Sequence, residues 1–249
     1  AILDSKRFEL SAADDTPLVL QDAVASIVAP EDGQYIIEMR EAAYGGNGNC
    51  FYRLHVGTFP QPTAVYPAGG KRGEEVEVRF LGDPTGEIVR KIAVPAQDDP
   101  EFQIAASDDG GIAPTENPFR PFDHGNVLEV EPNNGVAEAT PAELPLALNG
   151  IIESEGDVDF FRFAATKGQT WEVECYARRI RSGLDPVMVI HNKDGGGIAS
   201  NDDSRGPDSY VRFQVPEDGE YLISVRDHLG RGAPDFVYRI ELTPVTPSL

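Results

Sequence analysis

Residues 30–54 and 216–240 of this chain are two versions of one segment, PEDGQYIIEMREAAYGGNGNCFYRL and PEDGEYLISVRDHLGRGAPDFVYRI. Aligned without a gap at an offset of 186, they agree at ten of 25 positions. Pro30/Pro216, Glu31/Glu217, Asp32/Asp218 and Gly33/Gly219 open the segment. Tyr35/Tyr221, Ile37/Ile223 and Arg40/Arg226 follow, and Gly46/Gly232, Tyr52/Tyr238 and Arg53/Arg239 close it. Upstream, after a two-residue shift, Asp14 and Asp15 fall opposite Asp202 and Asp203. A supersecondary unit used twice fixes the architecture before any other feature is weighed. PEDG is a turn, with proline presetting φ and glycine supplying a permissive position. After it Tyr221, Ile223 and Val225 alternate with Leu222, Ser224 and Arg226, the pattern of a half-buried strand. A glycine-rich loop and a second strand, FVYRIEL, complete the unit.

The two copies differ in what precedes them. Ahead of the second, Gly150–Ile152, Asp159–Ala164, Thr170–Ala177 and Pro186–His191 read as strands separated by Gly, Asp and Asn. Strand signals this closely spaced predict a β-sandwich rather than βαβ units. The first copy starts where the second is half finished, so the equivalent of residues 129–188 has no counterpart. The chain is therefore expected to be a piece of a longer protein, with residues 1–57 the truncated C-terminal half of a sandwich. Half a sandwich exposes an apolar face and open edges, to be covered by a neighbouring module or by self-association with a second copy. Residues 58–106 form a smaller β unit, with strands near Thr63–Tyr66, Glu75–Leu81, Val89–Val94 and Phe102–Ala106 and a tight turn at PAGGKRGE. Residues 107–126, rich in breakers and without a period, are expected to be a surface linker. Residues 127–249 form the complete sandwich. The fold class is all-β throughout, in line with about two domains for 249 residues.

Charge narrows the partners. With 42 acidic against 21 basic residues the net is −21, a field that repels nucleic acid and anionic lipid and attracts hard cations such as calcium. No apolar run is long enough to span a membrane, and no signal-peptide pattern opens the chain. Cys50 and Cys175 lie in different modules and are not expected to pair. Cys175 shares a strand face with Trp171 and Val173 and is expected to be buried and inert.

A search for catalytic chemistry finds no motif. His55, His124, His191 and His228 show neither HExxH nor any metal-ligand spacing. There is no GxSxG elbow and no phosphate-binding glycine loop. Arg178, Arg179 and Arg181 form the one basic cluster, read as neutralising nearby carboxylates rather than holding an anion.

Read in order, EVEPNN, GDVDFFRFAATKGQTWEVE, LDPVMVI, SNDD, PEDGEYLISVRD and YRIEL make residues 129–243 resemble the bacterial pre-peptidase C-terminal domain. Residues 1–57 resemble its latter half. PTAVYPAGGKRGEEVEVRFLGD is similar to an immunoglobulin-like unit of the IPT/TIG class, and the tandem looks similar to secreted and cell-surface proteins of planctomycetes. The resemblance implies jelly-roll-like sandwich modules that are accessory, not catalytic. It also implies calcium near the entry to the sandwich, with Glu129, Glu131, Asn133, Asn134, Asp157 and Asp159 as matching ligands and Asp202 and Asp203 as a lesser pair. Those residue types suit calcium, which takes six to eight oxygens. The function implied is an extracellular interaction or targeting module of a secreted protein. A C-terminal appendage of a secreted peptidase or other hydrolase, and a carbohydrate-binding module, are the alternatives.

Overall fold

A computed structural model describes residues 1–245. Three short strands lie at the N-terminus, β1 (Ile2–Leu3), β2 (Glu9–Ser11) and β3 (Ile36–Ile37), in the order β2-β1-β3. The middle unit carries β4 (Ala64–Tyr66), β5 (Gly69–Lys71), β6 (Glu75–Leu81), β7 (Ile88–Ala93) and β8 (Gln103–Ile104). It continues with β9 (Ser107–Asp108), β10 (Gly111–Ile112), β11 (Asn117–Pro118) and β12 (Arg120–Phe122). The sandwich follows: β13 (Asn126–Leu128), β14 (Thr140–Ala142), β15 (Ala147–Ile151), β16 (Val158–Ala165) and β17 (Thr170–Tyr176), then β18 (Pro186–Asn192), β19 (Gly197–Asn201), β20 (Tyr210–Gln214), β21 (Gly219–Asp227) and β22 (Val237–Pro244).

Two five-stranded sheets, β13-β15-β22-β17-β20 and β14-β16-β21-β18-β19, face one another. Period-two alternation decides which side chains meet between them. Phe161 and Phe163 of β16, Trp171, Val173 and Cys175 of β17, and Tyr221, Ile223 and Val225 of β21 all turn into one core with Met188, Ile190 and Ile240. Each such large side chain contributes about 1.5–3 kcal/mol by leaving water. Cys175 is fully buried and Cys50 exposed, both as free thiols.

The alternation expected for β21 is only part of its environment. Leu222 and Ser224, assigned to its outer face, are buried too. The segment after β13 crosses that face: Asn133 O accepts from Phe160 N at 2.9 Å, and Val136 O accepts from Arg162. His191 packs on Phe160 and reaches Ser224 Oγ from Nε2 at 2.8 Å. The outer face is thus closed by a loop that carries no strand signal of its own.

Two expectations for the middle unit need correction. Residues 107–126 are not a surface linker: β11 pairs with β8, β12 runs parallel to β5, and Phe119 is buried against Val78, Phe80 and Ile104. Nor is PAGGKRGE only a turn, since Gly69–Lys71 is the strand that receives β12. A Cβ on Gly69 would stand 2.4 Å from Arg120 O, so glycine is what lets the two backbones approach.

The middle unit packs on the sandwich through a small core of Ala64, Tyr66, Ala68, Leu81, Ile151 and Val237. Polar contacts frame it: Tyr66 OH donates to Asn149 O at 3.2 Å, Thr63 Oγ1 to Asp235 at 2.6 Å and Asn126 Nδ2 to Gly69 O at 2.8 Å.

In the first copy, β3 forms where the repeat places it, but residues 51–56, the counterpart of β22, form no strand. β22 lies between β15 and β17 in its sheet, and among the described residues no strand of either kind stands beside 51–56.

Candidate metal centre

The chain leaves β13 with Glu129, and β13 itself pairs in parallel with β15. That pairing delivers the Glu129 carboxylate to the end of β15, where Oε1 accepts from Ile151 N at 2.8 Å. Glu129 Oε2 is buried and has no hydrogen-bond partner. Two residues on, Glu131 Oε2 accepts from Asn133 N at 3.0 Å, closing the EPNN turn. β16 enters from the other side and presents Asp159, fully buried, with its Oδ2 accepting from Tyr238 OH at 2.6 Å. Carboxylate oxygens of Glu129, Glu131 and Asp159 all lie within 4.8 Å of one another.

Asn133 completes the cluster. It is fully buried, and the inward end of its amide stands 3.2 Å from Glu131 Oε1 and 3.1 Å from Asp159 Oδ1. Turned nitrogen-inward it donates to both carboxylates; turned oxygen-inward it makes the centre all-oxygen. Asn134 and Asp157 form the adjoining pair, at 2.6 Å, with Val158 O 3.3 Å from the same amide. Asp157 Oδ2 is held by Glu153 N at 2.8 Å. Of the six residues expected as ligands, Glu129, Glu131, Asn133 and Asp159 stand together, and Asn134 and Asp157 pair beside them. Asp202 and Asp203 do not join them. Asp202 faces His228 at 3.8 Å, and Asn201 closes that turn through Ser204 N and Tyr210 N. Among the described residues no third carboxylate comes within a ligand's reach of that pair.

Concentrating negative charge away from water has a cost that shows in the acidities. Burial first, and then the neighbouring charge of Asp159, push the Glu129 carboxyl well up. Burial also raises Asp159, against the hydrogen bond from Tyr238, and raises Glu131, whose neighbour Asp157 adds to the effect. A divalent cation reverses each of these terms, since it replaces lost hydration and mutual repulsion with direct attraction.

Tyr238 and Gly150 belong to this centre and carry no motif of their own in the sequence. A Cβ on Gly150 would stand 2.3 Å from Glu129 Oε2 and 2.2 Å from Tyr238 OH, so the glycine leaves room for the cluster. The sequence signals at Tyr238 are its recurrence as Tyr52 and its place at the head of YRIEL, neither of which marks it as part of a centre. The basic cluster behaves as charge neutralisation at Arg179, which bonds Asp208, Glu174 and Cys175 O, each at 2.7 Å.

Residues 157–227 match the family model of the bacterial pre-peptidase C-terminal domain. The match begins at Asp157 and ends at Asp227, covering most of the sandwich but not the EVEPNN entry. Over 112 residues, 44% of its length, the chain is 35% identical to a probable subtilase-type serine protease of Deinococcus radiodurans, of which it spans 14%. Among solved structures it is similar to the pre-peptidase C-terminal domain of a collagenase from Bacillus anthracis. That likeness has 16% identity and a TM-score of 0.35, over 43% of this chain and 95% of the other. It is also similar to the periplasmic inhibitor of g-type lysozyme PliG from Aeromonas hydrophila, with 14% identity and a TM-score of 0.29 over 48% and 100%. No helix among the described residues is long and apolar enough to cross a membrane.

Proposed function

We propose that this chain is a non-catalytic interaction and targeting part of a larger secreted or cell-surface protein, its pre-peptidase C-terminal sandwich stiffened by calcium. Glu129, Glu131, Asn133 and Asp159 would hold the ion, with Asn134 and Asp157 beside it and water filling the remaining positions. One observation carries this reading: Glu129, Glu131, Asn133 and Asp159 converge on one point, with Asn133 and Asp159 fully buried and the buried Glu129 Oε2 facing no donor. Without a cation the carboxylates must hold charge out of water or take up protons, and either is costly. Calcium would tie the segment entering the sandwich to β16 and so fix how the domain is carried by what precedes it.

Thermal melts with calcium and with chelator test this. Extracellular calcium modules bind at roughly 10⁻⁴–10⁻³ M. At 10 mM calcium, binding to the folded form alone then stabilises by about 1.4–2.7 kcal/mol. For a unit of this size that is a rise in Tm of about 3–11 °C. Identical melts in calcium and chelator would overturn the proposal.

The similarity to a subtilase-type protease favours a second reading, in which the sandwich is the C-terminal appendage of a secreted peptidase. Purified full-length parent protein would then hydrolyse a general protein substrate and lose that activity to a serine-directed inhibitor. A parent protein inert under the same conditions would leave the interaction module.

A further inference from the structure

We propose that residues 1–57 are the strand-accepting half of a second sandwich. Its occupant is polypeptide that runs into Ala1 from the N-terminal side and carries strands patterned like β15, β16 and β17. The argument is one of register. The order β2-β1-β3 repeats β19-β18-β21. At the repeat offsets, Ile2↔Ile37 and Leu3↔Ile36 coincide with Ile190↔Ile223 and His191↔Leu222. Ile2↔Ser11 and Leu3↔Glu9 coincide with Ile190↔Ala199 and His191↔Gly197, and the irregularity falls at the same step in both. Six positions do not reproduce four pairings and an irregularity by chance of composition; two copies of one sheet fragment do.

The complete copy then shows what the first lacks. β21 has β18 on one edge and β16 on the other, with Phe161↔Ile223 and Arg162↔Leu222 paired across the second edge. The corresponding edge of β3, at Ile36 and Ile37, has no strand beside it among the described residues. β22 lies between β15 and β17, and Val237 and Tyr238 are 1% and 0% exposed. Their counterparts Phe51 and Tyr52 are 90% and 71% exposed. Eleven of the seventeen large apolar side chains exposed among the described residues lie before residue 58. That concentration marks an uncovered face rather than ordinary surface scatter. In the complete copy the covering strands precede β18 in the same chain, so the occupant is placed in cis.

Hydrogen exchange read by mass spectrometry tests this on the chain as it stands and on two variants. In the unaltered chain, residues 34–39 and 51–56 exchange at once, while 220–225 and 237–242 are protected. Fusing a copy of residues 127–188 ahead of Ala1 is expected to protect 34–39 and 51–56 at least tenfold. Deleting residues 127–188 from their own place is expected to release 220–225 and 237–242 to the same degree. A graft that protects nothing, or a deletion that leaves 220–225 protected, overturns the proposal. Protection of 34–39 in the unaltered chain that rises with concentration, in step with a dimer in sedimentation, overturns it in favour of a second copy.

Discussion

Glu241 stands between two guanidinium groups, and its removal is the perturbation with the clearest expected cost. Arg239 Nε donates to Oε1 at 2.8 Å, and Arg120 donates through Nε and Nη2 at 3.0 and 2.8 Å. Arg239 is fully buried and also donates to Asn126 and Asn149, at 2.7 and 3.1 Å. Arg120 comes from the middle unit and lies over the Tyr176 ring at 3.5 Å, so the triad spans the joint between the two units. At such separations and an effective dielectric constant of about 20, each contact is worth about 6 kcal/mol of attraction. Dehydration of the ions cancels much of that, which is why burying such a triad stabilises little by itself. Breaking it is different. Glu241→Ala leaves Arg239 charged and out of water with no counter-ion, a cost of about 3–5 kcal/mol. Urea unfolding followed by Trp171, the single tryptophan and a core residue, reads this directly. With m about 2 kcal/mol/M the midpoint falls by about 1.5–2.5 M. Arg120→Ala, whose side chain is partly exposed, should cost about 1 kcal/mol. A Glu241→Ala loss below about 1 kcal/mol would refute the claim that buried Arg239 depends on Glu241 as its counter-ion.

Other outcomes follow from the same geometry. Tyr238→Phe removes the donor to Asp159 and should lower stability by about 1–3 kcal/mol in chelator, measured by the same unfolding curves. Gly150→Ala forces a methyl against Glu129 and Tyr238; it should cost about 1–3 kcal/mol and weaken the response to calcium. For Asp227, burial raises the carboxyl, but the Arg231 guanidinium and the backbone N–H groups of Asp185, Arg231 and Leu229 outweigh it and hold it low. A depressed folded value contributes stability above the unfolded value of about 3.9, and loses it as pH falls through the folded one. Asp227→Asn should therefore destabilise at pH 7, with the gap to wild type closing below about pH 4 in pH-dependent melts. Finally, a thiol reagent should titrate one cysteine in the native chain, Cys50, and both after unfolding, because burial shields the Cys175 thiol and pushes its pKa up, keeping it protonated.

The sandwich was legible because its signal is periodic. Trp171, Val173 and Cys175 alternate with charged residues, and the structure buries them as alternation requires. The candidate centre was legible through a family resemblance that placed EVEPNN and GDVD together. Spacing alone would not have paired Glu129 with Asp159, thirty residues apart in sequence. What was hidden is held by tertiary contact rather than local pattern. Phe119 and β12 sit in a stretch of prolines and glycines with no period, ordered because Gly69 lets a parallel strand come close. Tyr238 reads as an ordinary strand residue until the fold sets it against Asp159. Residues 51–56 repeat the sequence of a buried strand and yet lie exposed, since a strand pattern makes a strand only where a partner stands beside it.

The most direct test of the account is calorimetric titration of calcium into the wild-type chain and into Asp159→Asn and Glu131→Ala. The account predicts one saturable site in the range of roughly 10⁻⁴–10⁻³ M for wild type, and heats indistinguishable from dilution in both variants. Absence of heat in the wild type would contradict it and leave Glu129, Glu131 and Asp159 a protonated structural cluster. Binding retained in Asp159→Asn would contradict it equally, by placing the ion elsewhere.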